Sequence, residues 1–299
     1  MPHPLAVVVT PLAHLQARPN HQSELKSQRA AGELLRVLDQ RGSWFQVAGA
    51  DRYPGWVRSW SVRLLGPAEA RTWARTANRW TWGRTVNVHR TPGGSVIAAL
   101  PLGARVRPLA ASSGARGQVA VELASGECGF VARAALGPTW PPALRRAAPG
   151  ARAAALAQSL AGATYLWGGT SSFGVDCSGL VQLAYAATGA VLPRDAQDQI
   201  RVSRRLDRGE APRTGDLLFF GRDGGVNHVA IVTRPPQFVH AYGRVEEASF
   251  GGPGVARPEL ARICLGVFRL VAPLTLRGRN QAWPLPMPSG RSTIRRFAG

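Results

Sequence analysis

The sequence predicts a multidomain protein in which two small β-barrels precede a larger α+β domain. Residues 18–65 and 87–137 are two loosely matching segments of short alternating strands and Gly/Pro turns. A stretch rich in Pro and Arg follows at 137–150. Helical patterns then precede strand patterns, which is typical of an α+β domain. The expected boundaries are 1–66 and 67–138 for the two barrels, 139–150 for a linker, 151–273 for the α+β domain and 274–299 for a basic tail rich in Pro and Gly.

The two N-terminal segments share an ordered set of landmarks. Each has a Gly before an apolar strand and then an alternating strand, at Trp44–Val47 in the first and Gln118–Leu123 in the second. Each ends in Gly-aromatic-Val, at residues 55–57 and 129–131. This order of short strands and turns resembles tandem bacterial SH3-like (SH3b) domains.

Two helices and three strands are predicted in the C-terminal half. The first helix covers Ala151–Ala161, and the second runs from Cys177 to Thr188 and ends before Gly189, a residue typical of helix C-termini. The strand candidates are Asp216–Phe220, His228–Thr233 and Gln237–Ala241.

Charge and composition limit the function classes. The chain has 299 residues, with 37 Lys+Arg against 17 Asp+Glu and a formal net charge of +20. Only Lys26 is a lysine. The arginines are spread along the chain instead of forming one stripe, so no specific nucleic-acid partner is expected, whereas attraction to anionic substrates is. A hydrophobic share of 45% excludes wholesale disorder.

The expected location is the cytoplasm. No apolar run reaches the roughly 18 residues of a membrane span, and no signal peptide is recognisable at the N-terminus. The cysteines number 3, an odd count that cannot form a complete disulfide framework. The oligomeric state is not predicted.

One cysteine and two histidines are the candidates for covalent chemistry. Cys177 opens a predicted helix, where the positive end of the helix dipole lowers a thiol pKa. A hairpin of the strands that contain His228 and His240 brings one imidazole to the thiol as a base and the second behind it as an orienting group. The alternatives are a buried structural cysteine and two ordinary histidines at strand ends.

Five ordered motifs resemble the NlpC/p60 family of papain-like cysteine peptidases. They are YLWGGTSSFGVDCSGL, LPRDAQDQ, GDLLFF, NHVAIV and FVHA, within about residues 150–272. The resemblance implies Cys177 as nucleophile, His228 as general base and then acid, and His240 as the third residue. It also implies a γ-D-glutamyl peptide of the bacterial cell wall as substrate.

Tandem SH3b domains ahead of such a domain resemble a narrower group, the γ-D-glutamyl-L-diamino acid endopeptidases of the dipeptidyl-peptidase VI type. In this group the first SH3b domain closes one end of the cleft and binds the free amine of the substrate's L-alanine. The matching segments HQSELKSQ and DRYPGWV point to Glu24 and Tyr53 as amine contacts. The group's pattern adds Asp176 to the amine contacts and places Ser178 at the D-glutamate.

The same resemblance implies four further cleft residues. Tyr165 and Trp167 are expected as cleft walls, with Tyr165 also a candidate oxyanion donor. Arg194 and Asp195 match a loop that lines the cleft, and an arginine suits the α-carboxylate of a γ-linked D-glutamate. Ala196 departs from the Ser or Thr usual in the group, which removes one expected substrate hydrogen bond.

The function expected from the sequence is cleavage of the γ-D-glutamyl–diamino acid bond in small muropeptides with a free N-terminal L-Ala, releasing L-Ala-D-Glu. No metal or cofactor is expected, because the Cys and His spacings match no zinc pattern. The alternatives are a thiol amidase or acyltransferase on another acyl donor, a non-catalytic SH3b protein that binds cell wall, and a charge-driven nucleic-acid binder.

Overall fold

A computed structural model describes residues 4–109, 117–137, 148–250, 255–256, 258–271 and 274–275. The predicted linker at 139–150 and the predicted basic tail at 274–299 therefore lie almost wholly outside the described residues. Within them no helix has both the length and the apolar content needed to cross a bilayer.

The first N-terminal unit consists of seven short strands. They are β1 (Leu5–Val8), β2 (Leu12–Gln16), β3 (Leu25–Ala30), β4 (Leu34–Arg41), β5 (Trp44–Ala48), β6 (Pro54–Arg58) and β7 (Val62–Leu65). They pair in the order β3-β2-β6-β5-β4-β1-β7. Apolar side chains on one face, among them Val8, Leu15, Leu35 and Val57, form a separate buried core.

A helix that the sequence analysis does not predict, α1 (Pro67–Thr76), follows the first unit. Pro67 at its first position has the φ angle of a helix, and Glu69 accepts a hydrogen bond from the Gly66 N–H at 2.9 Å. Trp73 of this helix donates its indole N–H to the carbonyl of Gly32 at 2.9 Å. The proline and the Glu69 bond stabilise the start of the helix, and the indole bond fixes it on the first unit.

The second unit repeats the strand order of the first. Its strands are β8 (Arg79–Thr81), β9 (Thr85–His89), β10 (Val96–Pro101), β11 (Arg105–Pro108), β12 (Gln118–Glu122), β13 (Cys128–Ala132) and β14 (Leu136–Gly137). The order β10-β9-β13-β12-β11-β8-β14 matches that of the first unit strand for strand. In neither unit do the outer strands pair with each other within the described residues, so closure into barrels stays a prediction.

The two N-terminal units approach each other closely at Gly32. The Arg105 N–H donates to the carbonyl of Ala31 at 2.8 Å. A Cβ on Gly32 would lie 2.3 Å from the Arg105 carbonyl oxygen, and Gly32 has a φ of +76°. A side chain at this position would therefore clash with the second unit and strain the turn.

The C-terminal unit is α+β. Its elements are α2 (Pro149–Ser159), β15 (Thr170–Ser171), β16 (Gly174–Val175), α3 (Cys177–Ala186), β17 (Ala190–Val191), α4 (Ala196–Gln199), β18 (Ser203–Arg205), β19 (Leu217–Arg222), β20 (Gly225–Arg234), β21 (Gln237–Tyr242), β22 (Arg244–Ser249), β23 (Val255–Ala256), α5 (Pro258–Ala261), β24 (Cys264–Leu270) and β25 (Leu274–Thr275). The predicted helices correspond to α2 and α3, and the three predicted strands to β19, β20 and β21.

A seven-stranded sheet organises this unit, in the order β18-β24-β19-β20-β21-β22-β23. Helices α2 and α3 pack on β20 and β21 and cover one face with a buried apolar core. The other face packs against Leu260 of α5. The start of α3 is thereby held against the central strands that contain both histidines.

Polar contacts join the first unit to the C-terminal unit. The Thr170 N–H donates to the side-chain oxygen of Gln28 at 3.0 Å, and the Thr170 hydroxyl donates to the Gln28 carbonyl at 3.0 Å. The Gln182 amide donates to Asp51 at 3.1 Å. The first unit is therefore seated beside β15 and α3.

Candidate active site

Cys177 is the first residue of α3 and is 8% exposed. Asp176 caps the helix, since its Oδ1 accepts from the Gly179 N–H at 2.7 Å, while its Oδ2 accepts from the Gly168 N–H at 2.9 Å. A Cβ on Gly179 would lie 2.0 Å from the Gly169 carbonyl oxygen, so the glycine-rich turn and the helix start need these glycines to approach each other. The cap and the close packing fix the backbone that positions the thiol.

The two histidines are in direct contact, as the hairpin prediction requires. His228 on β20 is 7% exposed and His240 on β21 is fully buried. His228 Nε2 lies 2.9 Å from His240 Nδ1, within hydrogen-bond distance. The strands pair through Ile231 and Val239, and extending this register by one residue puts His240 opposite Ala230, on the face that also presents His228.

A carboxylate lies behind His240. Glu246 on β22 is directly opposite His240 in the sheet, and its Oε1 is 3.5 Å from His240 Nε2. The other oxygen, Oε2, is 3.5 Å from Nε of the exposed Arg244. The sequence analysis does not name Glu246. The only sequence signal for Glu246 is the alternation of buried and exposed residues along β22. It identifies Glu246 as a neighbour of His240 only once the pairing of β22 with β21 is known.

Burial keeps both reacting groups neutral. It raises the pKa of the Cys177 thiol to about 11, with the Asp176 carboxylate adding to the rise and hydrogen bonds from the backbone N–H groups of Val229 and Ser178 opposing it. The pKa of His228 falls to about 3 through burial and then the neighbouring His240. The lowered thiol pKa expected from the helix N-terminus is therefore wrong for this structure, because desolvation of the sulfur outweighs the hydrogen bonds from the backbone N–H groups.

Tyr165 lies beside the thiol and Trp167 at the exposed rim. Burial, and then the nearby Cys177 and Asp176, raise the pKa of the half-buried Tyr165 to about 12, so its hydroxyl keeps its proton at neutral pH. Trp167 is 63% exposed. Their role as walls of a cleft stays a prediction.

Glu24 and Tyr53 of the first unit both reach the C-terminal unit. Trp167 donates its indole N–H to Glu24 Oε1 at 2.7 Å. The Tyr53 hydroxyl donates to Asp195 Oδ1 at 3.4 Å, and its pKa is raised by burial and then by Asp195. The structure therefore brings these predicted amine contacts to the seam between the two units.

Arg194 is buried and bonds to the cap of α3. The prediction is a guanidinium that meets a substrate carboxylate, but Arg194 is 2% exposed. Its Nη1 donates to Asp176 Oδ1 at 3.0 Å and to the Ser178 hydroxyl at 2.9 Å, and its Nη2 donates to Asp176 Oδ2. The residue thus supplies the counter-charge of the helix cap. Asp195 is half-buried and occupies the N-cap position of α4 without a capping bond from its side chain. A substrate contact of Arg194, Asp176 or Ser178 stays a prediction.

Within the described part of the chain, no group of three or more His, Cys, Asp or Glu side chains is arranged to hold a metal ion. The arrangement that the structure does show is a buried thiol at a helix start with a buried imidazole pair on the facing sheet. It can carry out nucleophilic chemistry on an acyl carbon without a metal.

Two family models match the chain. The model described as NlpC/P60 family covers residues 162–259, and the model described as bacterial dipeptidyl-peptidase Sh3 domain covers residues 15–62.

Similar proteins and one solved structure agree with these two family matches. A dipeptidyl-peptidase 6 from Lysinibacillus sphaericus is 28% identical over 79% of this chain and 87% of that protein. A gamma-D-glutamyl-L-lysine dipeptidyl-peptidase from Bacillus cereus is 40% identical over 27% of this chain and 25% of its own length. The crystal structure of an NlpC/P60 family protein from Bacillus cereus superposes with a TM-score of 0.70 over 89% of this chain and 98% of that chain, at 21% identity. This last likeness concerns the fold.

Proposed function

Because the chain carries an NlpC/P60 domain behind a bacterial dipeptidyl-peptidase SH3 domain, we propose that it is a cysteine endopeptidase that hydrolyses the γ-D-glutamyl–diamino acid bond of muropeptides with a free N-terminal L-Ala. The observation that carries the proposal is the buried His228–His240 pair, 2.9 Å between ring nitrogens, on the strands that pack against the helix opened by Cys177. The relatives named as dipeptidyl-peptidases support the γ-D-glutamyl bond as the target.

The proposed mechanism begins from a neutral thiol and a neutral imidazole. Since His228 Nε2 faces His240, its Nδ1 is the nitrogen left to take the Cys177 proton. The sulfur attacks the γ-carbonyl carbon of D-glutamate, and backbone N–H groups at the helix start, with the Tyr165 hydroxyl, stabilise the oxyanion. The C–N bond then breaks, and the diamino-acid amine leaves with the proton held by His228.

Hydrolysis of the thioester completes the cycle. Water gives a proton to His228 and attacks the acyl carbon, and the C–S bond breaks. The proton returns to the sulfur, which releases L-Ala-D-Glu and restores the resting pair.

Substrate recognition is proposed at the seam between the two units. Glu24 and Asp176 carry the negative charge that an ammonium needs, and the Tyr53 hydroxyl adds a further acceptor. The exposed Trp167 provides a wall beside Glu24, with which it already bonds. Ser178 and Arg194 are proposed to contact the D-glutamate, and Asp195 to line the cleft beside them.

The finer architecture is part of this proposal. The matching strand order of the two N-terminal units supports two SH3-like barrels, with the five boundaries given above. The three cysteines are all free thiols, which supports a reducing cytoplasm and a role in recycling of wall fragments. Small muropeptides are the proposed partners, and no specific nucleic acid is expected.

Defined peptides test the assignment. The unmodified chain, Cys177→Ala, His228→Ala and the control Cys128→Ala are each incubated with L-Ala-γ-D-Glu-diamino acid peptide, and product masses are read. We expect losses of at least about a thousandfold for the first two variants, because they remove nucleophile and base, and no loss for the control, because Cys128 is exposed on the second unit.

Two outcomes would contradict the proposal. Undiminished cleavage by Cys177→Ala would overturn the mechanism. Equal cleavage of a peptide whose alanine amine is acetylated would overturn the amine contacts of Glu24, Tyr53 and Asp176. Turnover of another acyl donor in preference to the peptide would favour the amidase or acyltransferase alternative.

A further inference from the structure

The hairpin of β15 and β16 leads directly into the nucleophile. The pairing of its two strands places Ser172 at the turn. The Asp176 N–H donates to the Gly169 carbonyl at 3.1 Å and closes the base of the hairpin, one residue before Cys177. The position of the hairpin therefore sets the position of the helix cap and of the thiol.

One hydroxyl of the hairpin is bonded to the first unit at two points. The Thr170 hydroxyl accepts from the Gln28 N–H at 3.2 Å and donates to the Gln28 carbonyl at 3.0 Å. In the described part of the chain, β3 lies at the edge of its sheet. The hydroxyl thus takes the place that a neighbouring strand would occupy beside Gln28.

A second hydroxyl of the same hairpin is bonded in the same way to the second unit. Ser172 is 7% exposed. Its hydroxyl accepts from the Leu102 N–H at 2.9 Å and donates to the Arg84 carbonyl at 2.5 Å. Each of the two hydroxyls therefore uses its donor and its acceptor on the backbone of a different N-terminal unit. The hairpin is held between the two units at points two residues apart.

The second unit is itself anchored on the C-terminal unit. Leu102 is 4% exposed and belongs to the apolar core that helices α2 and α3 cover. The Arg84 guanidinium donates to the Ser159 carbonyl at 3.0 and 2.8 Å and to the Ala161 carbonyl, at and just after the end of α2. The backbone groups that hold Ser172 are therefore fixed by the side chains of the same two residues.

We propose that Ser172 is a positioning residue through which the second N-terminal unit holds Cys177 in its catalytic geometry. This role rests on the proposed function, in which the substrate contacts come from the first unit and the C-terminal unit. Loss of the Ser172 hydroxyl leaves a buried N–H and a buried carbonyl without this partner, so the packing of the turn against the second unit loosens. A displacement of about 1 Å near a reacting group costs roughly a hundredfold in rate. The second unit therefore acts on turnover and not on substrate binding.

Steady-state kinetics with L-Ala-γ-D-Glu-diamino acid peptide compare the unmodified chain with Ser172→Ala and Ser171→Ala. We expect Ser172→Ala to lower kcat about tenfold to a hundredfold and to change KM less than about threefold, because Glu24 and Tyr53 keep their places. Ser171 is the matched control, since it is 2% exposed but its hydroxyl accepts from the Phe173 N–H, inside the hairpin. Ser171→Ala should change kcat less than about threefold.

Arg84→Met tests the same link without a change in the hairpin. The Arg84 side chain is exposed, so the variant should fold, and its loss loosens the carbonyl that holds Ser172. We expect kcat to fall about threefold to tenfold with KM unchanged. Arg79→Met is the control, because the Arg79 guanidinium bonds to the adjacent Asn78 within the second unit, and it should leave kcat unchanged.

The kinetic outcomes decide the assignment. An unchanged kcat in Ser172→Ala would overturn it, as would a loss equal to that of Ser171→Ala. If Ser172→Ala does not fold, Arg84→Met decides, and an unchanged kcat in that variant would overturn the assignment.

Alkylation of Cys177 separates this inference from the proposed function, because it needs no turnover. Labelling with iodoacetamide and peptide mass analysis give a rate for each cysteine, with the exposed Cys128 as internal reference. Loosening of the hairpin exposes the buried sulfur, so Ser172→Ala should raise the Cys177 rate at least about threefold relative to Cys128. That rise without peptide cleavage by the unmodified chain would support the positioning role and overturn the peptidase. Cleavage with a kcat that is indifferent to Ser172 would do the reverse.

Discussion

Arg194→Met removes a buried counter-charge from the cap of the helix that begins at Cys177. The guanidinium is 2% exposed and makes three hydrogen bonds, two to Asp176 and one to Ser178. After the substitution Asp176, itself 7% exposed, keeps its bonds from two backbone N–H groups but loses its positive partner. Removing one partner of such a pair costs roughly 3–5 kcal/mol, because the remaining charge is left uncompensated.

Urea unfolding followed by far-UV circular dichroism measures this cost. Arg201→Met is the matched control, since Arg201 pairs with Asp198 but is 68% exposed. Such an exposed pair contributes at most about 1 kcal/mol. Adding Asp176→Asn to Arg194→Met should recover part of the lost stability, because the uncompensated charge is then gone.

The refuting result is a loss no larger than that of Arg201→Met. If Arg194→Met left the stability unchanged and raised only KM, Arg194 would act mainly through substrate, as the sequence resemblance implies. The counter-charge role described above would then be wrong.

Two further changes have defined outcomes. Glu246→Leu removes the carboxylate that lies 3.5 Å from His240 Nε2 and favours the tautomer with its hydrogen on that nitrogen. We expect kcat to fall about tenfold to a hundredfold with KM unchanged. Glu247→Gln, on the exposed face of the same strand, should leave the kinetics unaffected. Because the folded pKa of His228 is about 3, below the 6.5 of an unperturbed histidine, the neutral ring contributes stability fully above pH 6.5, and this is lost as the pH falls towards 3. Urea midpoints from pH 7 to pH 4 should therefore fall more steeply in the unmodified chain than in His228→Gln, and parallel curves would contradict the shift.

Local sequence patterns were sufficient to predict the elements that present the catalytic groups. Cys177 directly follows an aspartate typical of a helix N-cap, and the glycines before it indicate a tight turn. A helix start was therefore predictable at this position. The strands around His228 and His240 are short apolar runs joined by a tight turn, which predicts a hairpin. In each case residues within about a dozen positions determine the local structure, so an alternating or capping pattern in the sequence predicts it.

The partners of these groups were not predictable in the same way. The sequence does not show that Arg194 is buried and paired with Asp176. Glu246 becomes a neighbour of His240 only through the register of β21 and β22. The lowered thiol pKa failed because a helix N-terminus can be read from sequence, whereas the depth of burial of the sulfur cannot.

The amino-acid sequence by itself determined the family resemblance, the repeated N-terminal units and the three candidate catalytic residues, because short-range order and spacing encode them. Only the tertiary structure decided which charged side chains pair with each other inside the protein. Tyr53 meets Asp195 across 142 positions of chain, Arg29 pairs with Asp51, and Arg194 pairs with Asp176. Such pairing depends on distances in space, so it cannot be predicted from a periodic pattern along the chain.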